Sequence, residues 1–271
     1  MSNLENTVFF SDKKFANLIF IPLKLNGETA VAMFDTGAQI SVISESIVKK
    51  HNIAKNGETQ QGRNNNGASL PFDEGLLKLL EIGNIEIKNT TLGIIPDVAF
   101  ELGEDSDNNI FPAKMLLGWD VISQICWEFD MNERYVKINK GGVMPKSNAI
   151  TWKQFPIVDV VFKDEILQMG FDSGHTETLL DNTWLRRLDQ YDKKMTKIQG
   201  IGSSNTEQTY ITKNLMLNFN NTSRLFHDIE IMNHKIYGGE NNNLVGLLGA
   251  DFIEGKKWTL DYKSRFFETS K

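Results

Sequence analysis

The sequence predicts an all-β chain of two pseudo-twofold-related lobes with a few short helices. Three observations carry that prediction. Two short words are written once in each half, in the same order: Phe34-Asp35-Thr36-Gly37-Ala38 returns as Phe171-Asp172-Ser173-Gly174-His175, and Leu116-Leu117-Gly118-Trp119-Asp120 returns as Leu247-Leu248-Gly249-Ala250-Asp251. Most other elements are short runs of Val, Ile, Leu and Phe bounded by Gly, Asn and Asp, which is strand composition. The agreement also extends beyond the words, where chance matching of short motifs would fail.

The elements follow in order. Residues 1–17, including Thr7-Val8-Phe9-Phe10, read as an edge strand or a removable cover. Leu18 to Leu25 is a strand, Asn26-Gly27 a polar turn, and Ala30 to Phe34 a second strand ending on Asp35. The same plan stands 137 positions later, where Val160-Val161-Phe162-Lys163-Asp164-Glu165-Ile166 matches Leu23 to Thr29. Ser44 and Asp181 are good N-caps, and they precede helix-like stretches at Glu45 to Lys50 and Asn182 to Leu188. Glu81 to Ile87 is strand-like. Trp127-Glu128-Phe129-Asp130 matches Trp258-Thr259-Leu260-Asp261 at 131 positions, and Arg134 matches Arg265. The first half therefore holds six more residues between its two words, and the polar stretch Glu104 to Asn109 is a natural home for them. The lobes are placed at 1–140 and 149–271, with 141–148 as a linker of Gly, Pro and polar residues.

Composition limits the function. The chain has 271 residues, 40% hydrophobic and 24% charged, as an ordinary globular protein does. Its longest uncharged apolar run, Leu18 to Leu23, is too short to span a bilayer, so no membrane partner is expected. A net charge of −6 with no basic block argues against nucleic acid. One cysteine, Cys126, makes no internal disulfide and stands in an apolar run as a buried structural thiol. The first residues do not read as a secretory signal, so a cytoplasmic protein is expected, and the sequons at Asn89 and Asn220 are chance matches. His51, His227 and His234 lack metal-ligand spacing, Asp105-Ser106-Asp107 fails as a calcium loop, and Gly200-Ile201-Gly202 lacks the third glycine of a phosphate cradle. No metal or organic cofactor is expected. Trp127 and Trp258 read as core anchors.

The repeated word carries chemistry. An apolar strand delivers each Asp to a sharp turn, where Gly37 or Gly174 brings backbone N–H groups close to the carboxylate. Thr36 and Ser173 have hydroxyls that could bond across to the opposing loop. Pseudo-twofold packing would set Asp35 against Asp172, and two carboxyls sharing a site do not both ionise cheaply. One then holds a proton while the other is an anion, giving an acid and a base at one pH. Aspartic proteases are the standard example of that arrangement.

On these residues the chain resembles the retropepsin-like and pepsin-like aspartic peptidases over roughly residues 18 to 267, as two retropepsin units fused in one chain. The resemblance implies acid-protease-like β lobes, a peptide or protein substrate in the cleft between them, and a monomer that functions without dimerising. It implies water attack on the scissile carbonyl by Asp35 and Asp172, with Thr36, Gly37, Ala38, Ser173, Gly174 and His175 as the supporting loop. Which Asp holds the proton stays open. Candidate flaps are Gln60 to Phe72, with Gly62 and Gly67, and Gln199 to Tyr210, with Gly200 and Gly202. Asp120 and Asp251 would cap short helices starting at Val121 and Phe252. His175 departs from the usual small residue and, if its ring faced the dyad, would favour an anionic Asp172; Ala38 offers the carboxylates no hydroxyl. Fewer hydrogen bonds to the charged form point to a mildly acidic optimum. A catalytically silent peptide-binding module on the same fold is the alternative, whereas no nucleophile-plus-base constellation supports a serine or cysteine hydrolase.

Overall fold

The computed structural model describes residues 6–10, 15, 17–63, 69–101, 111–152, 156–200, 203–220, 222–236 and 243–270. The proposed home of the six additional residues, Glu104 to Asn109, lies outside them, as do Gly67 and Gly202.

β1 (Thr7–Phe9) is followed by β2 (Phe20–Leu25), β3 (Glu28–Phe34), β4 (Val42–Ser44), β5 (Ala54–Arg63), β6 (Ser69–Ile82), β7 (Ile85–Ile95) and β8 (Met115–Leu117). Asn26 and Gly27, at φ of 51° and 88°, form the two-residue turn between β2 and β3. Positive φ at both turn positions matches the right-handed twist of the flanking strands, which is why Asn-Gly serves there. Strand order β2-β3-β8-β4-β7-β6 returns to β2 through Lys24↔Glu81 and Leu25↔Leu80, closing a six-stranded barrel from which β5 extends beside β6.

Between the barrel and the second half run β9 (Ile125–Asp130) and β10 (Tyr135–Lys140). The second half continues with β11 (Ile150–Trp152), β12 (Pro156–Phe162), β13 (Glu165–Phe171), β14 (Leu179–Leu180), β15 (Asp192–Gly200), β16 (Ser203–Thr212), β17 (Leu215–Phe219), β18 (Thr222–Phe226), β19 (Ile229–Ile231) and β20 (Gly246–Leu248). These make a half-barrel in the order β15-β16-β19-β14-β20-β13-β12-β17-β18, with β11 beside β12. Asn214 and Asp228, both at positive φ, stand at the breaks between β16 and β17 and between β18 and β19.

A third sheet takes strands from both halves: β1, β10, β9, β21 (Lys257–Asp261) and β22 (Phe266–Thr269), in that order. β1 is its edge strand, so the edge-strand reading of Thr7 to Phe10 is the one observed. In the middle, β9 pairs with β21 at Trp127↔Leu260 and Phe129↔Trp258. Phe129 stacks on Trp258 at 4.1 Å, Phe34 meets Trp127 edge-on at 4.9 Å, and Phe171 meets Trp258 at 5.9 Å. Phe34 and Phe171 immediately precede the two aspartates, so this aromatic layer is the platform under both loops. Each such ring, fully buried, contributes roughly 1.5–3 kcal/mol over an exposed one.

Helical elements are short. α1 (Glu45–Lys50) has Ser44 as its N-cap, as its sequence predicts. The stretch after Asp181 is a 3-10 turn, Asn182–Arg186, shorter than the expected helix, and Asp181 accepts from the Thr183 N–H. α2 (Trp119–Ile122) and the 3-10 turn Ala250–Ile253 begin at Gly118 and Gly249, and Asp120 and Asp251 cap neither. No helix among the described residues is long and apolar enough to cross a membrane.

Candidate active site

Each Asp sits where its strand leaves the sheet. β3 runs parallel to β8 with Phe34 opposite Leu117, and β13 runs parallel to β20 with Phe171 opposite Leu248. The Asp35 N–H then donates to the Leu117 carbonyl at 3.0 Å, and the Asp172 N–H to that of Leu248 at 2.9 Å. Gly118 and Gly249 end these words because a Cβ at either would lie 2.5 Å from the backbone of Ile40 or Glu177. That close approach holds each Leu-Leu-Gly word against the loop after its Asp.

The two loops grip one another. The Thr36 hydroxyl donates to the Phe171 carbonyl at 2.8 Å and accepts from the Ser173 N–H at 2.9 Å. The Ser173 hydroxyl repays both bonds, donating to the Phe34 carbonyl at 2.9 Å and accepting from the Thr36 N–H at 3.1 Å. Both side chains are fully buried. Losing either hydroxyl would strand polar groups of the opposite lobe, at about 1–3 kcal/mol each.

The grip sets the carboxyls together. A Cβ on Gly37 would meet the Asp172 carboxyl at 2.4 Å, and one on Gly174 would meet that of Asp35 at 2.5 Å. Each loop glycine is thus the space in which the opposite carboxyl lies. Asp35 Oδ1 accepts from the N–H groups of Gly37 and Ala38 at 2.9 and 3.0 Å, and Asp172 Oδ1 accepts from Gly174 at 2.8 Å. Burial, then the neighbouring charge of Asp172 and the hydrogen bond between the carboxyls, hold Asp35 well above the usual carboxylate range. Asp172 is also raised by burial, but the hydrogen bond from Asp35 and the N–H groups of Gly174, His175 and Gly37 pull it back. Burial raises both carboxyls, and the hydrogen bond between them lets the pair hold one proton in common.

The His175 ring does not depend on the dyad for a partner: its Nδ1 lies 2.7 Å from the Glu177 carbonyl, and the residue meets Asp172 through its backbone. Gly62 pairs with Leu70 in the β5–β6 hairpin, and Gly200 pairs with Ser203 in the β15–β16 hairpin. Asp120 and Asp251 clamp loops instead of capping helices. Asp120 Oδ1 accepts from the N–H and hydroxyl of Ser41, whose hydroxyl in turn accepts from the Gly118 N–H. Asp251 accepts from the Thr178 hydroxyl, which accepts from Gly249. Sequence reasoning missed Ser41 and Thr178, although they stand 137 positions apart like Asp35 and Asp172 and both carry hydroxyls.

Among the described residues no group of His, Cys, Asp and Glu is placed to hold a metal ion. Cys126 is fully buried, and burial with the charges of Asp261 and Glu128 pushes its thiol up to about 12. His51 lies buried beside Glu28, while His227 and His234 bond to Asn214 and Asn233.

Comparison with known families bears on the first half. Residues 21–121 match the aspartyl protease family. Over that stretch the chain is similar to retropepsin-like aspartyl proteases. The match runs from β2 to α2 and includes Asp35 with both words of the first lobe; Asp172 lies beyond it. No curated protein matches the chain.

Proposed function

We propose that this chain is an aspartic endopeptidase that hydrolyses peptide bonds with Asp35 and Asp172, both lobes being supplied by one chain after an internal duplication. The observation that carries the reading is reciprocal: each loop glycine leaves the room that the opposite carboxyl fills, while buried hydroxyls cross-link the loops. Nothing in a purely structural turn requires that reciprocity.

Anionic Asp172 takes a proton from a water held between the carboxyls, the water oxygen bonds to the scissile carbonyl carbon, and Asp35 gives its proton to the carbonyl oxygen. In the resulting diol, Asp35 takes back a hydroxyl proton and Asp172 passes its own to the amide nitrogen as the C–N bond breaks. The cycle returns the proton to Asp35 and needs no metal and no covalent intermediate. Because both carboxyls are raised by burial, the singly protonated state occupies a pH range displaced upward from that of free carboxylates. That supports a mildly acidic optimum.

Incubation with a peptide library between mild acid and neutral pH tests the reading, with Asp35→Asn and Asp172→Asn as controls. Wild type should cleave, and each variant should lose at least about 100-fold in rate. Equal cleavage by all three would overturn the dyad mechanism, and binding without cleavage by wild type would favour the silent binding module.

A further inference from the structure

The two lobes are equivalent in position but not in chemistry. β4 sets Val42 opposite Gly93 and β6 sets Glu74 opposite Gly93; in the second lobe β14 sets Leu179 opposite Glu230 and β16 sets Ile211 opposite Glu230. The same 137-position spacing that relates Asp35 to Asp172 therefore relates Ala38, Ile40, Leu70, Phe72 and Gly93 to His175, Glu177, Glu207, Thr209 and Glu230.

In the first lobe these positions form an apolar wall. Ala38, Val42, Leu70 and Phe72 are half-buried and pack on one cluster with Phe20, Met33 and Leu116, directly beside the Asp35 loop. Phe72 has its space because position 93 is glycine: a Cβ there would stand 3.2 Å from the ring.

In the second lobe the place of that ring is taken by Thr209 and the carboxyl of Glu230. Glu230 is only 8% exposed, and its Oε1 accepts from the Thr209 hydroxyl, itself bonded to Thr196. Its Oε2 has no partner among the described residues, and no Lys, Arg or His of them lies within ion-pair distance. Oε1 is thus taken by a neutral hydroxyl, while Oε2 is not among the buried side-chain atoms left without a partner and stays open to an incoming cation. Half-buried Glu207, at the counterpart of Leu70, has His234 at 3.7 Å.

We propose that the two walls read different side chains of one bound peptide. The first-lobe wall takes a bulky apolar residue, and Glu230 with Glu207 takes a lysine or arginine on the other side of the scissile bond. Glu230 is then a specificity-determining residue: a basic side chain supplies the charge partner that its Oε2 lacks among the described residues. This rests on the peptidase reading and sharpens its substrate class.

The test uses the full chain with paired peptides carrying apolar and basic residues on opposite sides of one bond, against copies with the basic residue replaced by norleucine. Wild type should favour the basic peptide; Glu230→Gln should lower kcat/KM for it by about tenfold while leaving the norleucine peptide within about twofold. Glu207→Gln, on a half-buried side chain, should reduce the same preference and guards against misfolding of the Glu230 variant. Dyad-dependent cleavage with equal kcat/KM for both peptides, or a preference unmoved by both variants, would overturn the inference and leave the peptidase reading standing. If no dyad-dependent cleavage occurs, that reading fails, and calorimetric binding of the same peptides decides the inference separately: tighter binding of the basic peptide that Glu230→Gln abolishes supports it, and equal binding refutes it.

Discussion

At the scale of single residues, the dyad is costly to keep. The folded chain holds Asp35 above the 3.8 of an exposed carboxyl, so between that value and its own the folded state binds more protons than the unfolded one. Stability then falls as pH rises through this window. Asparagine carries no charge there and keeps the acceptor oxygen for Gly37 and Ala38. Asp35→Asn should therefore be more stable than wild type by ~1 kcal/mol at neutral pH and indistinguishable from it near pH 3, read by urea unfolding. The meeting of Asp35 and Asp172 was legible in sequence because the same Asp-hydroxyl-Gly word is written twice. The direction of the His175 ring was not, since it is decided by a local carbonyl, that of Glu177, which no spacing rule marks.

At the scale of elements, the strand pairs β2–β3 and β12–β13 were legible from turn residues and apolar runs, and α1 from its cap. Asp120 and Asp251 were misread because an acidic residue before a short apolar stretch looks like an N-cap; in the fold both lie inside the first turn and reach sideways to Ser41 and Thr178. Asp261 carries an element-scale role with no signal in sequence. It is fully buried and accepts from the N–H groups of Gly142, Val143 and Met144, fixing the 141–148 segment to β21. Burial pushes its pKa up, but the N–H groups of Met144, Gly142, Ser264 and Val143 outweigh that and hold it below the ordinary value. Its stabilising effect is present above the unfolded pKa and is lost as pH falls through the folded one. Asp261→Ala should cost at least about 3 kcal/mol at pH 7, measured by denaturant unfolding, with the loss shrinking toward pH 2.

For the whole molecule, the sequence foretold two β lobes but not that strands from both halves share a sheet. Strand runs reveal pairing partners only when turns join them, and β9 and β21 are more than a hundred residues apart. Trp127 and Trp258, read as core anchors, turn out to be the layer that supports both aspartate loops. Removing that layer should loosen the lobes together. Trp258→Ala should cost ~3–5 kcal/mol, and wild type should unfold in one transition by both far-UV circular dichroism and tryptophan fluorescence. Two separated transitions in wild type would show that the shared sheet does not couple the lobes.

The most direct measurement follows the carboxyl carbons of Asp35 and Asp172 by NMR across a pH titration, with Asp35→Asn and Asp172→Asn to assign them. A shared proton predicts two separated steps, the upper one well above the ordinary carboxylate range and lost in either variant. Two independent steps near 3.8, unchanged when the partner is replaced, would contradict the account.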